Sequence, residues 1–169
     1  PVVSSAASDV YKRQFWLMPS EDIRWPVGGE IDILENRGRI SNISSSALHF
    51  GKQWNKKSTL VGEALIPRQV RFQDKFHSIS LVWKENVIAF YLDNSSDPYF
   101  TINSDHPEFQ KYKYPFNRDY YMILNVAVGG KYDDYWVDFD AFCNDEACSN
   151  KENPDSHRFI IDWIEYERL

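Results

Sequence analysis

Trp25-Pro26-Val27-Gly28-Gly29-Glu30-Ile31-Asp32-Ile33-Leu34-Glu35-Asn36-Arg37-Gly38 is the stretch from which the rest of the chain is read. Its carboxylates at 30, 32 and 35 share six residues with Ile31, Ile33 and Leu34, which favour strands, and glycines bracket the run. In a regular strand side chains alternate. Glu30, Asp32 and Leu34 then share one face, and Glu35 points the other way, into an apolar layer. A β-bulge at Ile33-Leu34 removes the conflict, because one extra residue turns the later side chains over. Glu30, Asp32 and Glu35 then project together. Like charges so close raise the pKa of at least one of them.

A solvated acidic outer face is the plainer reading, but flanking isoleucines, a Gly-Gly entry and an adjacent Trp-Pro do not suit it. The trio suits cleavage of a glycosidic bond with retention of configuration. That reaction needs two carboxyl groups about 5–5.5 Å apart, one as nucleophile and one as general acid/base. An acid between them can hydrogen-bond the nucleophile and help set the protonation of the pair.

Gly29 to Glu35 resembles the G-E-I-D-I-x-E signature of glycoside hydrolase family 16, in the bulged version found in its laminarinase branch. Trp25-Pro26 belongs to the same pattern. The resemblance implies that Glu30 is the nucleophile, Asp32 its assisting carboxylate and Glu35 the acid/base, which has to carry a proton at neutral pH to do so. It extends over residues 15–169 and implies an all-β fold, a β-jelly-roll sandwich of two antiparallel sheets with the substrate groove on the concave face.

Residues 1–14 share no periodicity with the rest of the chain. Ser4 to Gln14 resembles the translation of a sequencing-library adapter, so residues 1–14 are set aside as non-native and 15–169 are read as a partial catalytic domain. On this reading the opening strands and any secretion signal lie outside the chain, and the parent protein is expected to be extracellular. Whether the shortened domain folds and works alone is a question for a melting curve on this chain and on one extended upstream.

With 169 residues the chain holds one domain with a real core. Its net charge of −6 argues against nucleic acid and anionic membrane as partners. No apolar run approaches the roughly 20 residues of a membrane span. No motif suggests nucleotide, haem or zinc, so no cofactor is expected to be required. The expected partner is a polysaccharide, met by a monomer. Cys143 and Cys148 are close enough for a loop disulfide in an oxidising compartment, and two free thiols fit equally well. Asn42 and Asn94 sit in N-x-S sequons that matter only in a secreted protein.

In chain order, Phe15 to Pro19 reads as a short strand. Trp25 reads as a stacking platform for a sugar ring or as a core plug. Ile43 to Phe50 reads as the next strand. His49 lies in a His-aromatic-Gly turn of the kind that family members carry beside the cleft, and a satisfied structural histidine is the alternative. Trp54 follows in a Lys-rich loop as a further stacking candidate. Phe76 to Trp83 and Val87 to Asp93 read as a hairpin, and residues 94–117 as loop with one helical turn. Tyr121 to Val128 reads as a central strand in which Asn125 faces the cleft or has a fixed partner. Trp136 is the stacking candidate of the long loop at 131–156. Phe159 to Leu169 reads as the closing strand, and its Asp162 matches an aspartate that helps hold a structural calcium in many members.

These features lead to one expected activity, endo-hydrolysis of β-1,3-glucan of the laminarin type by double displacement. The alternatives are a β-glucan-binding protein without turnover on the same fold, and a hydrolase of mixed-linkage glucan or galactan.

Overall fold

Alternation along the first strand sets up the two sides of the main sheet. Arg13, Phe15 and Leu17 are buried, whereas Lys12, Gln14 and Trp16 are half-buried on the other face. The structure, a computed structural model, describes residues 11–131 and 159–168. Its strands are β1 (Tyr11–Pro19), β2 (Glu30–Arg37), β3 (Ile43–Gln53), β4 (Lys56–Leu65), β5 (Ile79–Lys84), β6 (Val87–Leu92), β7 (Phe100–Asn103) and β8 (Tyr120–Val128). Among the described residues one α-helix, α1 (Pro107–Tyr112), lies between β7 and β8. Every pairing is antiparallel: one sheet runs β4-β3-β2-β1-β8, the other β5-β6-β7.

The two sheets enclose one apolar layer. Phe15, Leu17, Ile31, Ile33, Leu34, Leu48 and Phe50 come from the larger sheet, and Ile79, Ile88, Phe90 and Ile102 from the smaller. Phe109 and Phe116, from the segment before β8, close one end against Phe50, which meets Phe116 edge-on and Phe109 at a tilt. Gly62 on β4 has no side chain because a Cβ there would lie 2.2 Å from the ring of Phe100. His77 and Asp93 tie the ends of the β5-β6 hairpin together, with Nδ1 3.0 Å from the carboxylate, and Asp93 also accepts from the Ser78 amide.

Several expectations change. β1 begins at Tyr11, so four residues set aside on sequence grounds lie in a paired strand. β8 is an edge strand among the described residues, not a central one. Phe100–Asn103 forms a strand inside the stretch read as loop; four residues are too few to show alternation. Residues 159–168 form no strand, because no neighbour among the described residues offers them a ladder. Instead Trp163 and Ile164 line an apolar trough of about 850 Å³ with Ile79, Leu81, Trp83 and Met122.

Candidate active site

The register between β2 and β3 counts out the bulge. Glu30 faces His49, Asp32 faces Ala47, and Glu35 faces Ser45. Three steps on β2 therefore span two steps on β3. The β1 ladder shows the same surplus, passing from Leu34 directly to Asp32. Ile33 and Leu34 are both buried in the core, so alternation breaks between these two and Glu35 returns to the face of Glu30 and Asp32. The carbonyl of Ile33 accepts from the Ser46 hydroxyl at 2.7 Å, and that of Glu35 from Ser45 at 3.3 Å. Serines opposite the kink thus take up carbonyls where the ladder is interrupted.

The three acids share one electrostatic environment. His49 Nε2 lies 3.0 Å from Asp32 Oδ2, and the charges of Asp32, Glu30 and Glu35 all act on this imidazole. Burial alone would lower the pKa of His49, but the Asp32 contact and the three carboxylates outweigh it and raise it. Burial first, and the Asp32 charge second, push Glu30 above its ordinary 4.5, while His49 and Trp25 pull back only in part. Asp32 is 1 % exposed, and burial pushes it upward too, against the pull of His49.

Trp25 reaches the site by its polar edge. Its indole N–H donates to Glu30 Oε2 at 2.5 Å, and its ring meets that of Trp54 at 5.1 Å between centroids. Lys57 Nζ sits 5.3 Å and 5.6 Å from the centres of these two rings. The Trp25-Pro26 peptide is cis. Gly29 adopts φ +83, and a Cβ there would meet Tyr120 Oη at 2.6 Å, so only glycine fits the entry to β2. Tyr120 itself donates to the Gly28 carbonyl.

On the other flank, Glu35 Oε1 lies 2.6 Å from Lys12 Nζ and accepts from Gln14 Nε2 at 3.2 Å. Asn125 has fixed partners in the same row: it accepts from Trp16 Nε1 at 2.7 Å and donates to Gln14 Oε1 at 3.5 Å. The amide therefore has fixed partners, and one of them, Gln14, also donates to Glu35.

The structure therefore gathers Glu30, Asp32, Glu35, Trp25, His49, Trp54 and Asn125 at one face of the larger sheet. Trp136, Cys143 and Cys148 lie outside the described residues. Asp162 is exposed, apart from the acids of β2, and joins no group of three His, Cys, Asp or Glu among the described residues. Glu30, Asp32 and His49 bring ligand atoms within 4.8 Å of one another, the one such group found among the described residues.

Sequence reasoning missed Lys12, Gln14, Trp16, Ser46, Thr59 and Tyr120. Strand alternation on either side of Phe15 would have brought in the first three; nothing local marks the others.

The chain matches the family described as Glycosyl hydrolases family 16 over residues 11–165. It is 32 % identical over 127 residues to glucan endo-1,3-beta-glucosidase A1 of Niallia circulans, covering 70 % of this chain and 18 % of that protein. It is 35 % identical over 126 residues to a glucan endo-1,3-beta-glucosidase of Cryptopygus antarcticus, with 70 % and 45 % covered. A beta-1,3-glucan-binding protein of Penaeus monodon is matched at 32 % identity over 63 % of this chain and 34 % of its own length. Among solved structures, the endo-beta-1,3-glucanase of Pyrococcus furiosus superposes with a TM-score of 0.68 at 27 % identity, over 78 % of this chain and 50 % of that one. The chain thus spans half or less of the length of these proteins.

Proposed function

The chain belongs to glycosyl hydrolase family 16, and on that premise we propose that the parent protein cuts β-1,3-linked glucan internally, with retention of configuration. The observation that carries this reading is the bulged register of β2, which turns Glu30, Asp32 and Glu35 to one face under a single imidazole. In the proposed mechanism Glu30 attacks the anomeric carbon while Glu35 gives its proton to the departing glycosidic oxygen. Glu35 then takes a proton from water, and the hydroxide so formed releases the sugar from Glu30. Trp25 fixes the Glu30 carboxylate through its N–H, and Asp32 holds a second charge beside it. Trp25 and Trp54 supply aromatic surface for sugar faces.

Every step is carried by side chains of β2. The parent is read as an extracellular monomer, where a polymer too large to enter a cell is met. Among the described residues no helix is long and apolar enough to cross a membrane.

Release of reducing ends from laminarin, followed by product analysis on mixed-linkage glucan and galactan, tests both reaction and linkage. Glu30→Gln is expected to abolish turnover while leaving glucan binding measurable. Azide added to Glu30→Ala is expected to give an α-glycosyl azide, the mark of a displaced nucleophile. Binding without turnover by the unaltered protein would move the reading to the glucan-binding alternative.

A further inference from the structure

Resting on that reading, the geometry points to His49 as a positioning residue that works through Asp32, oriented from behind by Thr59, rather than as a group that touches the sugar. His49 and Thr59 face each other across the β3-β4 ladder, and His49 faces Glu30 across the β2-β3 ladder. The Thr59 hydroxyl lies 2.9 Å from His49 Nδ1, and Nε2 lies 3.0 Å from Asp32 Oδ2. A line of polar groups therefore crosses three strands and ends on the buried acid between the two glutamates.

Both ring nitrogens are engaged inside the protein. With Nε2–H directed at Asp32, the neutral ring needs a donor at Nδ1, and the charged ring needs an acceptor there. A hydroxyl is both, because it can turn. Thr59 thus holds the ring in place through either protonation state. Asp32 is 1 % exposed, and the imidazole is in contact with it while the Glu30 carboxyl also lies within hydrogen-bonding reach. A buried carboxylate so placed depends on its cationic neighbours, the imidazole in contact with it first and the Lys12 charge after it. The charged groups facing the imidazole are Glu30, Asp32 and Glu35 of β2, with Lys12 of β1 beyond Glu35 and the uncharged Trp25 at 6.5 Å.

Substitutions at His49, Thr59 and Asp32, followed by two readouts, test this. His49→Gln keeps a donor toward Asp32 without a titrating ring, His49→Leu removes both, and Thr59→Val removes only the orienting hydroxyl. On laminarin, kcat is expected to fall within tenfold for Gln and a hundredfold or more for Leu, with KM held within twofold. Thr59→Val is expected to lower kcat about threefold, and Thr59→Ser to restore it. A rise in KM of tenfold or more with kcat intact, in both His49 variants, would place the ring on the sugar and overturn the inference.

The second readout needs no turnover. The ¹⁵N signals of the His49 ring are expected to show hydrogen on Nε2 in the neutral form, to titrate at lower pH in Asp32→Asn, and to move at Nδ1 in Thr59→Val. Signals indifferent to both substitutions would overturn the inference even in a protein that cuts nothing. Failure of the unaltered protein on every glucan would instead count against the hydrolase reading alone.

Discussion

Replacing Ser46 by alanine tests whether the kink in β2 is held by the strand beside it. Ser46 is fully buried and lies opposite the kink, between the paired positions 45 and 47. Its one hydroxyl hydrogen goes to the Ile33 carbonyl at 2.7 Å. The Tyr99 hydroxyl, 2.5 Å away, must then donate to Ser46. Ser46→Ala strands a buried carbonyl, at about 1–3 kcal/mol, and loses the bond from Tyr99, worth about 1 kcal/mol net. The sum is about 2–4 kcal/mol. At about 2–4 °C per kcal/mol for a chain of this size, Tm falls by about 4–16 °C. Tyr99→Phe removes only the outer bond and should cost about 1 kcal/mol.

Denaturant titration at low temperature gives the stability difference, and kcat on laminarin reports the geometry of Glu35. A carboxyl displaced by a fraction of an ångström lowers kcat on the order of tenfold. If Ser46→Ala costs no more than Tyr99→Phe and leaves kcat unchanged, the serine does not hold the kink.

Three further outcomes are expected. In the proposed mechanism Glu30 attacks as a carboxylate, so activity is expected to fade as pH falls through the Glu30 pKa. Burial and the Asp32 charge place the acid limb of kcat/KM above the ordinary 4.5, and Trp25→Phe, by removing a bond to the charged form, moves it higher still; a pH-rate profile with the limb at or below 4.5 refutes this. Trp54 is 67 % exposed, so Trp54→Ala should leave Tm in place and raise KM about two- to tenfold through lost ring stacking, read from steady-state kinetics on laminarin oligosaccharides. Gly62→Ala drives a methyl into the Phe100 ring and should cost about 1–3 kcal/mol in denaturant melts, with Phe100→Leu relieving part of it.

The acids of β2 were legible because their spacing contradicts simple alternation, and the observed register places the surplus residue at Ile33-Leu34, where that contradiction has to be resolved. The β5-β6 hairpin was legible for a similar reason, as two alternating runs with a turn between them, although the turn is two residues, Glu85-Asn86, rather than three. The features that stayed hidden depend on partners distant in sequence. Ser46 and Thr59 look like ordinary strand residues until the ladders show what stands opposite. Lys12 and Gln14 fall among the residues set aside at 1–14, yet both touch Glu35. The strand expected at 159–169 had a suitable pattern, but a pattern cannot supply the neighbour that makes a strand.

The surplus residue in β2 has an arithmetical consequence for how such a site can vary. Glu30 and Glu35 stand opposite His49 and Ser45, four places apart on β3. A straight strand covers four places with five residues, Glu-x-Asp-x-Glu, and its even number of steps also leaves all three acids facing one way. Removing Ile33 would therefore preserve the cross-strand address and the facing of every carboxyl, and change only how far the backbone arches between them. Shortening by two would break the parity, swinging the last acid into the oily interior. Length variation here is quantised: odd and even forms can coexist only where the arch comes and goes with them.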